Sequence, residues 1–261
     1  MKLGLENKVV LVTGGSKGIG LAAARAFAEE GARVAIASRR AENLESARRA
    51  LHALGMETFT TKADFSNPDE AVAAVDAVES GCGPIDILIN SAGAARRFAP
   101  DSLDAAAWRQ GMNSKYFPYV FAMDAVRPRM IARRSGVIVN IIGMGGKAAE
   151  SIHLSGGAAN AALMLVTTGW ANALAPHGIR VNGINPAGTL TERVQESIRV
   201  TSQTEKISET DALRRLESRV PMGRLARPEE VAALAVFLAS EKATYITGAV
   251  IPMDGGRHAI I

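Results

Sequence analysis

The segment Lys8–Val12, KVVLV, runs without a break into Thr13–Gly20, TGGSKGIG, and then into an alanine-rich helical pattern. Glycines at 14, 15, 18 and 20 between an apolar strand and a helix constrain this chain more than any other feature. Glycine permits a tight turn and lets the main chain approach another group closely, and the helix that follows offers unpaired N–H groups and a partial positive charge. The junction therefore suits a pyrophosphate at the end of the first strand of a parallel α/β sheet. A glycine-rich turn without a ligand is the alternative.

The rest of the chain repeats the alternation. Short β-branched runs predict strands at Val9–Thr13, Arg33–Ser38, Glu57–Lys62, Ile85–Asn90, Gly136–Ile142, Arg180–Asn185 and Ala249–Pro252. Amphipathic segments predict helices at Ile19–Glu30, Ala41–Leu54, Pro68–Ser80, Ala105–Arg133, Ser155–Ala175 and Pro228–Ala239. Strands that alternate with helices imply a doubly wound parallel sheet with helices on both faces. No internal repeat or Pro/Ser-rich linker divides the 261 residues, so one Rossmann-type domain over 1–261 is expected. Residues 187–222 break the pattern: six acidic and six basic residues fall between Glu192 and Arg219. This segment follows a strand's carboxyl end, where ligands sit in such sheets, and is read as a lid or as a solvated helical pair.

Charge and cysteine content narrow the function classes. The formal charge of +4 comes from 30 basic residues interleaved with 26 acidic ones, a mixed surface that argues against a nucleic-acid partner. A lone Cys82 excludes an internal disulfide, leaves no cysteine cluster for a metal, and fits a reducing, cytoplasmic setting. The N-terminus has no secretory pattern. Ser151–Ile179 lacks Asp, Glu, Lys and Arg, but Asn160, Thr167, Thr168 and Asn172 interrupt it, so a buried helix covered partly by another subunit is expected rather than a membrane span.

At the end of the second predicted strand the sequence reads IASRR. A carboxylate there would meet a ribose 2′-hydroxyl and repel a 2′-phosphate. Ser38, Arg39 and Arg40 instead offer a hydroxyl and two guanidinium groups, with Lys17 in the glycine loop adding a further charge. NADP is favoured over NAD, although Arg40 is equally readable as a surface residue.

Ordered motifs along nearly the whole chain carry a family likeness: TGGSKGIG at 13–20, ADFSN at 63–67, NSAG at 90–93, a buried Asn113, GVIVNI at 136–141, INPAGTLT at 184–191, GRLARPEEVA at 223–232 and YITGAVIPMDGG at 245–256. Together they resemble the short-chain dehydrogenase/reductase family. The resemblance implies nicotinamide cofactor binding and homotetramers or homodimers. It assigns the cofactor to Thr13, Gly14, Ser16, Lys17, Gly18, Ile19, Gly20, Ser38, Arg39 and Arg40. It adds Asp64 and Phe65 at the adenine, Asn90, Ala92 and Gly93 along the ribose wall, and Pro186 and Thr191 at the nicotinamide. Two departures, NSAG for NNAG and Pro186-Ala187 for Pro-Gly, leave that binding intact.

The reacting group is where the likeness fails. Family members use a Ser, a Tyr four residues before a Lys, and an Asn, because a phenol near pKa ~10 needs a neighbouring ammonium to exchange protons at neutral pH. Alignment with this pattern puts Gly143 at the serine, Gly156 at the tyrosine and Asn160 at the lysine position; Asn113 alone survives. Asn160 is readable as a ligand of the cofactor ribose or as a core amide. His153, three residues before Gly156, titrates near neutrality unaided and is the replacement acid or base, unless it is a bonded loop histidine. Arg96 and Arg97 follow NSAG and are readable as contacts for a carboxylate or an acyl-CoA phosphate, or as solvated loop residues.

Three functions remain open from the sequence. The first is an NADP(H)-dependent oxidoreductase on a carbonyl or alcohol with a non-standard proton relay through His153, or through water held by Asn113 and Asn160. The second is a dinucleotide-binding pseudoenzyme. The third is a non-redox enzyme on the same fold.

Overall fold

A computed structural model describes residues 2–93 and 95–258. Its elements are β1 (Val9–Thr13), α1 (Gly18–Glu29), β2 (Arg33–Ser38), α2 (Ala41–His52), β3 (Thr58–Lys62), α3 (Pro68–Cys82), β4 (Ile87–Asn90), α4 (Ala105–Gly111), α5 (Phe117–Arg133), β5 (Gly136–Ile141), α6 (Leu154–Leu174), β6 (Ile179–Pro186), α7 (Glu192–Glu205), α8 (Glu209–Glu217), α9 (Pro228–Ala239) and β7 (Val250–Met253).

The seven strands pair in parallel in the order β3-β2-β1-β4-β5-β6-β7, with Val10 opposite both Val34 and Ile87. From β1 the chain winds outward to β3, then returns to lay β4 on the other side of β1. That reversal opens a crevice at the carboxyl ends of β1 and β4, where the glycine loop and the NSAG segment lie.

Side-chain alternation along the strands builds two cores. Leu11, Ala35, Leu88 and Ile138 pack on one face with α3, α5 and α6, while Val10, Val12, Ile36, Ile89 and Val139 pack on the other with α1, α2 and α9. Burial on both faces is what the continuous β-branched runs require. Helix starts follow local chemistry. Asn67 accepts hydrogen bonds from the N–H groups of Asp69 and Glu70 ahead of α3, with Pro68 in its first turn, and Ser208 caps α8 by accepting from Asp211.

Most expected elements form with shifted ends. β4 starts at Ile87 rather than Ile85, and α3 runs on to Cys82. One departure is substantive: the single helix expected over Ala105–Arg133 is α4, a π-turn at Met112–Tyr116, and α5. Pro118 explains the break, since it cannot donate to the carbonyl four residues earlier and its ring crowds it. That carbonyl belongs to Ser114 and faces Gly93, where any Cβ would collide with it. The charge-dense region 187–222 forms α7 and α8, and Arg193, Val194, Ser197, Leu216 and Arg219 from this region line one side of the crevice. Among the described residues no helix is long and apolar enough to cross a membrane, and no cluster of His, Cys, Asp and Glu has the arrangement of a metal site.

Candidate functional site

The crevice holds a small pocket at one end and a cavity of about 1230 Å³ at the other. The small pocket is lined by Gly14, Ser38, Arg39, Asp64, Phe65, Ala92 and Gly93 among others. Its backbone walls are close: Gly14 has φ +67°, and a Cβ there would fall 2.7 Å from Ala92 Cα. The Ser16 hydroxyl donates to the Ser38 hydroxyl at 3.0 Å, tying the glycine loop to the end of β2. Asp64 turns its carboxylate onto the N–H and hydroxyl of Ser66, which fixes the pocket floor. No side chain caps the start of α1, so its first N–H groups remain available to an anion.

These features fit a dinucleotide. The uncapped helix start suits a pyrophosphate, Ser38 and Arg39 suit a 2′-phosphate, and Ile19, Pro186 and Thr191 line the larger cavity into which the other end would extend. Gly18 lies beside Thr191, at 3.3 Å from its methyl group for an added Cβ, and a Cβ on Gly20 would strike the Gly14 carbonyl.

Several of the expected residues make contacts within the fold. Thr13 and Asn90 are fully buried and form part of neither pocket. The Thr13 hydroxyl donates to Asn90 Oδ1 at 3.2 Å and accepts from the N–H groups of Ser91 and Ala92, so it shapes the ribose wall from beneath. Asn90 donates to Asn140 Oδ1 at 2.9 Å. Arg40 is exposed ahead of α2 and lines neither pocket. Lys17 is paired with Glu192 at 3.2 Å across the mouth of the crevice. Asn113, expected to be buried among the reacting groups, is exposed and borders the small pocket, because the π-turn rotates it away.

Gly143 and Asn160, two of the three positions singled out above, line the large cavity. Gly143 has φ +133°, a backbone that a serine would adopt only under strain, and a Cβ there would lie 3.2 Å from Asn160 Nδ2. Asn160 is 5% exposed, lines the cavity, and leaves its Oδ1 buried without a hydrogen-bond partner. An unsatisfied buried acceptor of this kind costs about 1–3 kcal/mol.

His153 fills the volume that Gly145 and Gly156 vacate. A Cβ on Gly156 would come within 2.6 Å of Nε2 and closer still to Cε1, and one on Gly145 would lie 2.9 Å from Cδ2. Its Nδ1 is buried without a partner. Burial, then the charge of Arg97, pushes the imidazole below its ordinary value; Lys115 acts in the same sense and Glu150 opposes both.

Lys115 escaped the sequence reading, which took it for one more residue of a long helix. The π-turn buries it, and the residue lines the large cavity. Nζ donates to the Tyr119 hydroxyl at 2.8 Å and to the Ile141 carbonyl at 3.1 Å, which leaves one N–H of three. Burial first, and then the charge of Arg193, brings this ammonium down to about 7. Tyr119 is no substitute for the missing tyrosine. Its hydroxyl donates to the Ile141 carbonyl, burial holds it protonated, and it positions the lysine.

Comparison with known proteins agrees with this geometry. The family model described as Enoyl-(Acyl carrier protein) reductase matches residues 14–258. Gluconate 5-dehydrogenase of Gluconobacter oxydans is 34% identical over 97% of this chain and 95% of its own length. Cis-4-hydroxycyclohexanecarboxylate dehydrogenase of Sinomonas cyclohexanicum is 34% identical over 97% of both chains. The crystal structure of L-sorbose reductase from Gluconobacter frateurii, complexed with NADPH and L-sorbose, superposes over 100% of both chains with a TM-score of 0.95 and 30% identity. A doubly wound parallel sheet with a crevice at its carboxyl ends is a dinucleotide-binding architecture. The chain belongs to the short-chain dehydrogenase/reductase family.

Proposed function

We propose that this protein is an NADP(H)-dependent oxidoreductase that interconverts an alcohol and a carbonyl, with His153 handling the proton that a tyrosine handles in most of its family. The observation that carries this reading is the seat of His153: an imidazole inside the large cavity, against glycines that have no room for any other side chain. Bound NADP(H) supplies hydride exchange with the substrate carbon. Ser38 and Arg39 favour the 2′-phosphate, and Asn160 lines the cavity into which the nicotinamide ribose would extend.

The depressed imidazole is neutral at pH 7 and accepts the hydroxyl proton of an alcohol at a ring nitrogen. The Lys115 ammonium keeps one donor for the substrate oxygen and holds a positive charge beside it where negative charge develops. α7 and α8 act as a lid over these groups. The uncharged outer face of α6, with Leu165 75% exposed, supports homodimers or homotetramers through that helix.

Calorimetric titration with NADPH and NADH, paired with turnover assays of the His153→Ala variant, tests the reading. Preference for NADPH and loss of turnover with unchanged NADPH affinity are expected. Unchanged turnover in the variant would refute the role of His153, and binding without turnover in the parent protein would leave a dinucleotide-binding pseudoenzyme.

A further inference from the structure

The charges around the large cavity are strongly one-sided. Arg96, Arg97, Arg193, Arg219, Arg257 and Lys115 line it, against the single carboxylate, among the described residues, of Glu150. That carboxylate is already shared, at 3.3 Å from Arg97 and 3.3 Å from Arg257. Arg96 lies over the Phe98 ring at 5.3 Å. Arg193 and Arg219, from opposite ends of the α7–α8 segment, pair with no carboxylate among the described residues.

Their neighbours show that this is not a shortage of acids. Within the same segment the outward-facing Arg199, Arg214 and Arg215 each pair locally, with Glu196, Asp211 and Glu205. The two arginines that lack a partner are the two that border the cavity. Clustered like charges are unfavourable without a counter-ion, and their mutual effect is visible: Arg193 lowers the proton affinity of Lys115, while Arg97 and Lys115 lower that of His153. Arg193 and Arg219 are both exposed to the solvent of the cavity, and partial desolvation lowers the proton affinity of Arg193.

The geometry points to an anionic substrate: a small hydroxy or oxo compound whose carboxylate or phosphate is bound by Arg193 and Arg219 while its reacting oxygen meets His153 and Lys115. Guanidinium groups suit both anions because their donors form a planar fork. Glu150 positions Arg97 and Arg257 at the rim and leaves the α7–α8 pair for the ligand. This deepens the oxidoreductase reading by naming the class of substrate, and its test is one of binding.

The probes are gluconate, glucitol 6-phosphate and glucitol, which share a six-carbon polyol chain and carry a carboxylate, a phosphate or neither. Citrate and inorganic phosphate serve as chain-independent anions, and NADPH as the cofactor control. Each is titrated calorimetrically at constant ionic strength into the parent protein and into the Arg193→Ala/Arg219→Ala variant, with melting curves confirming that both fold. The His153 ring is followed by NMR to report on the cavity.

Saturable binding of at least one anion is expected, with glucitol weaker, a rise in the His153 pKa on binding, and a loss of about tenfold or more in affinity in the double variant. Tighter gluconate or tighter phosphate distinguishes a carboxylate from a phosphate ligand. Equal binding in both proteins, no saturable anion binding, or a fall in NADPH affinity alone in the double variant would overturn the inference, the last by assigning Arg193 to the cofactor. Absence of turnover with intact anion binding would instead count against the redox reading.

Discussion

His153 and Gly156 share one space: the imidazole lies where any side chain on residue 156 would start, with Nε2 only 2.6 Å from the position of an added Cβ and Ala95 Cβ 2.7 Å from it. The tyrosine of the family and this histidine are therefore mutually exclusive. Gly156→Ala should displace the imidazole and lower kcat by about a hundredfold or more, the range over which a positioned acid or base acts. NADPH affinity should stay within about twofold. Steady-state kinetics with a parallel calorimetric titration check this, and full activity in the alanine variant would show that His153 is not needed where it lies.

Installing the missing groups together should fail. In Gly143→Ser/Gly156→Tyr/Asn160→Lys the serine inherits φ +133° and the tyrosine collides with His153. We expect a lower melting temperature and no gain in turnover. Adding His153→Ala relieves the second conflict and should recover part of the stability, read by thermal melting of both variants.

Lys115 makes a prediction about stability. Its folded value of about 7 lies below the ordinary 10.5, so between these pH values the unfolded chain binds more protons than the folded one. Stability from this group consequently rises with pH across that window, and the cost of burial is complete below pH 7. Lys115→Met should therefore stabilise the protein, by an amount on the order of a few kcal/mol as an upper limit, most at pH 7 and below and least near pH 10. Urea titrations at several pH values test the sign. The same variant should lose turnover, since the donor beside the reacting oxygen is gone.

How far the sequence discloses this molecule depends on whether its local signals act locally. The glycine loop and the β-branched runs are local, and the strands, the parallel sheet and the small pocket form where they point. Thr13 and Asn90 stand in the expected motifs, yet polarity alone does not distinguish a residue that touches the ligand from one that braces the wall behind it. Lys115 is hidden more deeply. Its burial arises from Pro118 acting on the Ser114 carbonyl and from Gly93 receiving that carbonyl from another strand end, a contact between segments far apart in the chain. Gly143, Gly156 and Asn160 stand out in the sequence because glycine and asparagine cannot perform the family's proton transfer.

The pH dependence of catalysis should respond to the charges that surround His153. Alcohol oxidation requires the neutral imidazole, so the acid limb of kcat/KM follows its pKa, which lies below the ordinary 6.5. Arg97 lowers that pKa and Glu150 raises it. Arg97→Gln should thus shift the acid limb to higher pH, and Glu150→Gln should shift it to lower pH. Because Glu150 also holds Arg97 at 3.3 Å, each substitution frees the other partner, and the double variant should return the limb toward the parent position. Profiles of kcat/KM from about pH 5 to 8, the range in which an imidazole titrates, measure this for the four proteins. Two shifts of the same sign would mean that the limb belongs to another group, with Lys115 the first to examine.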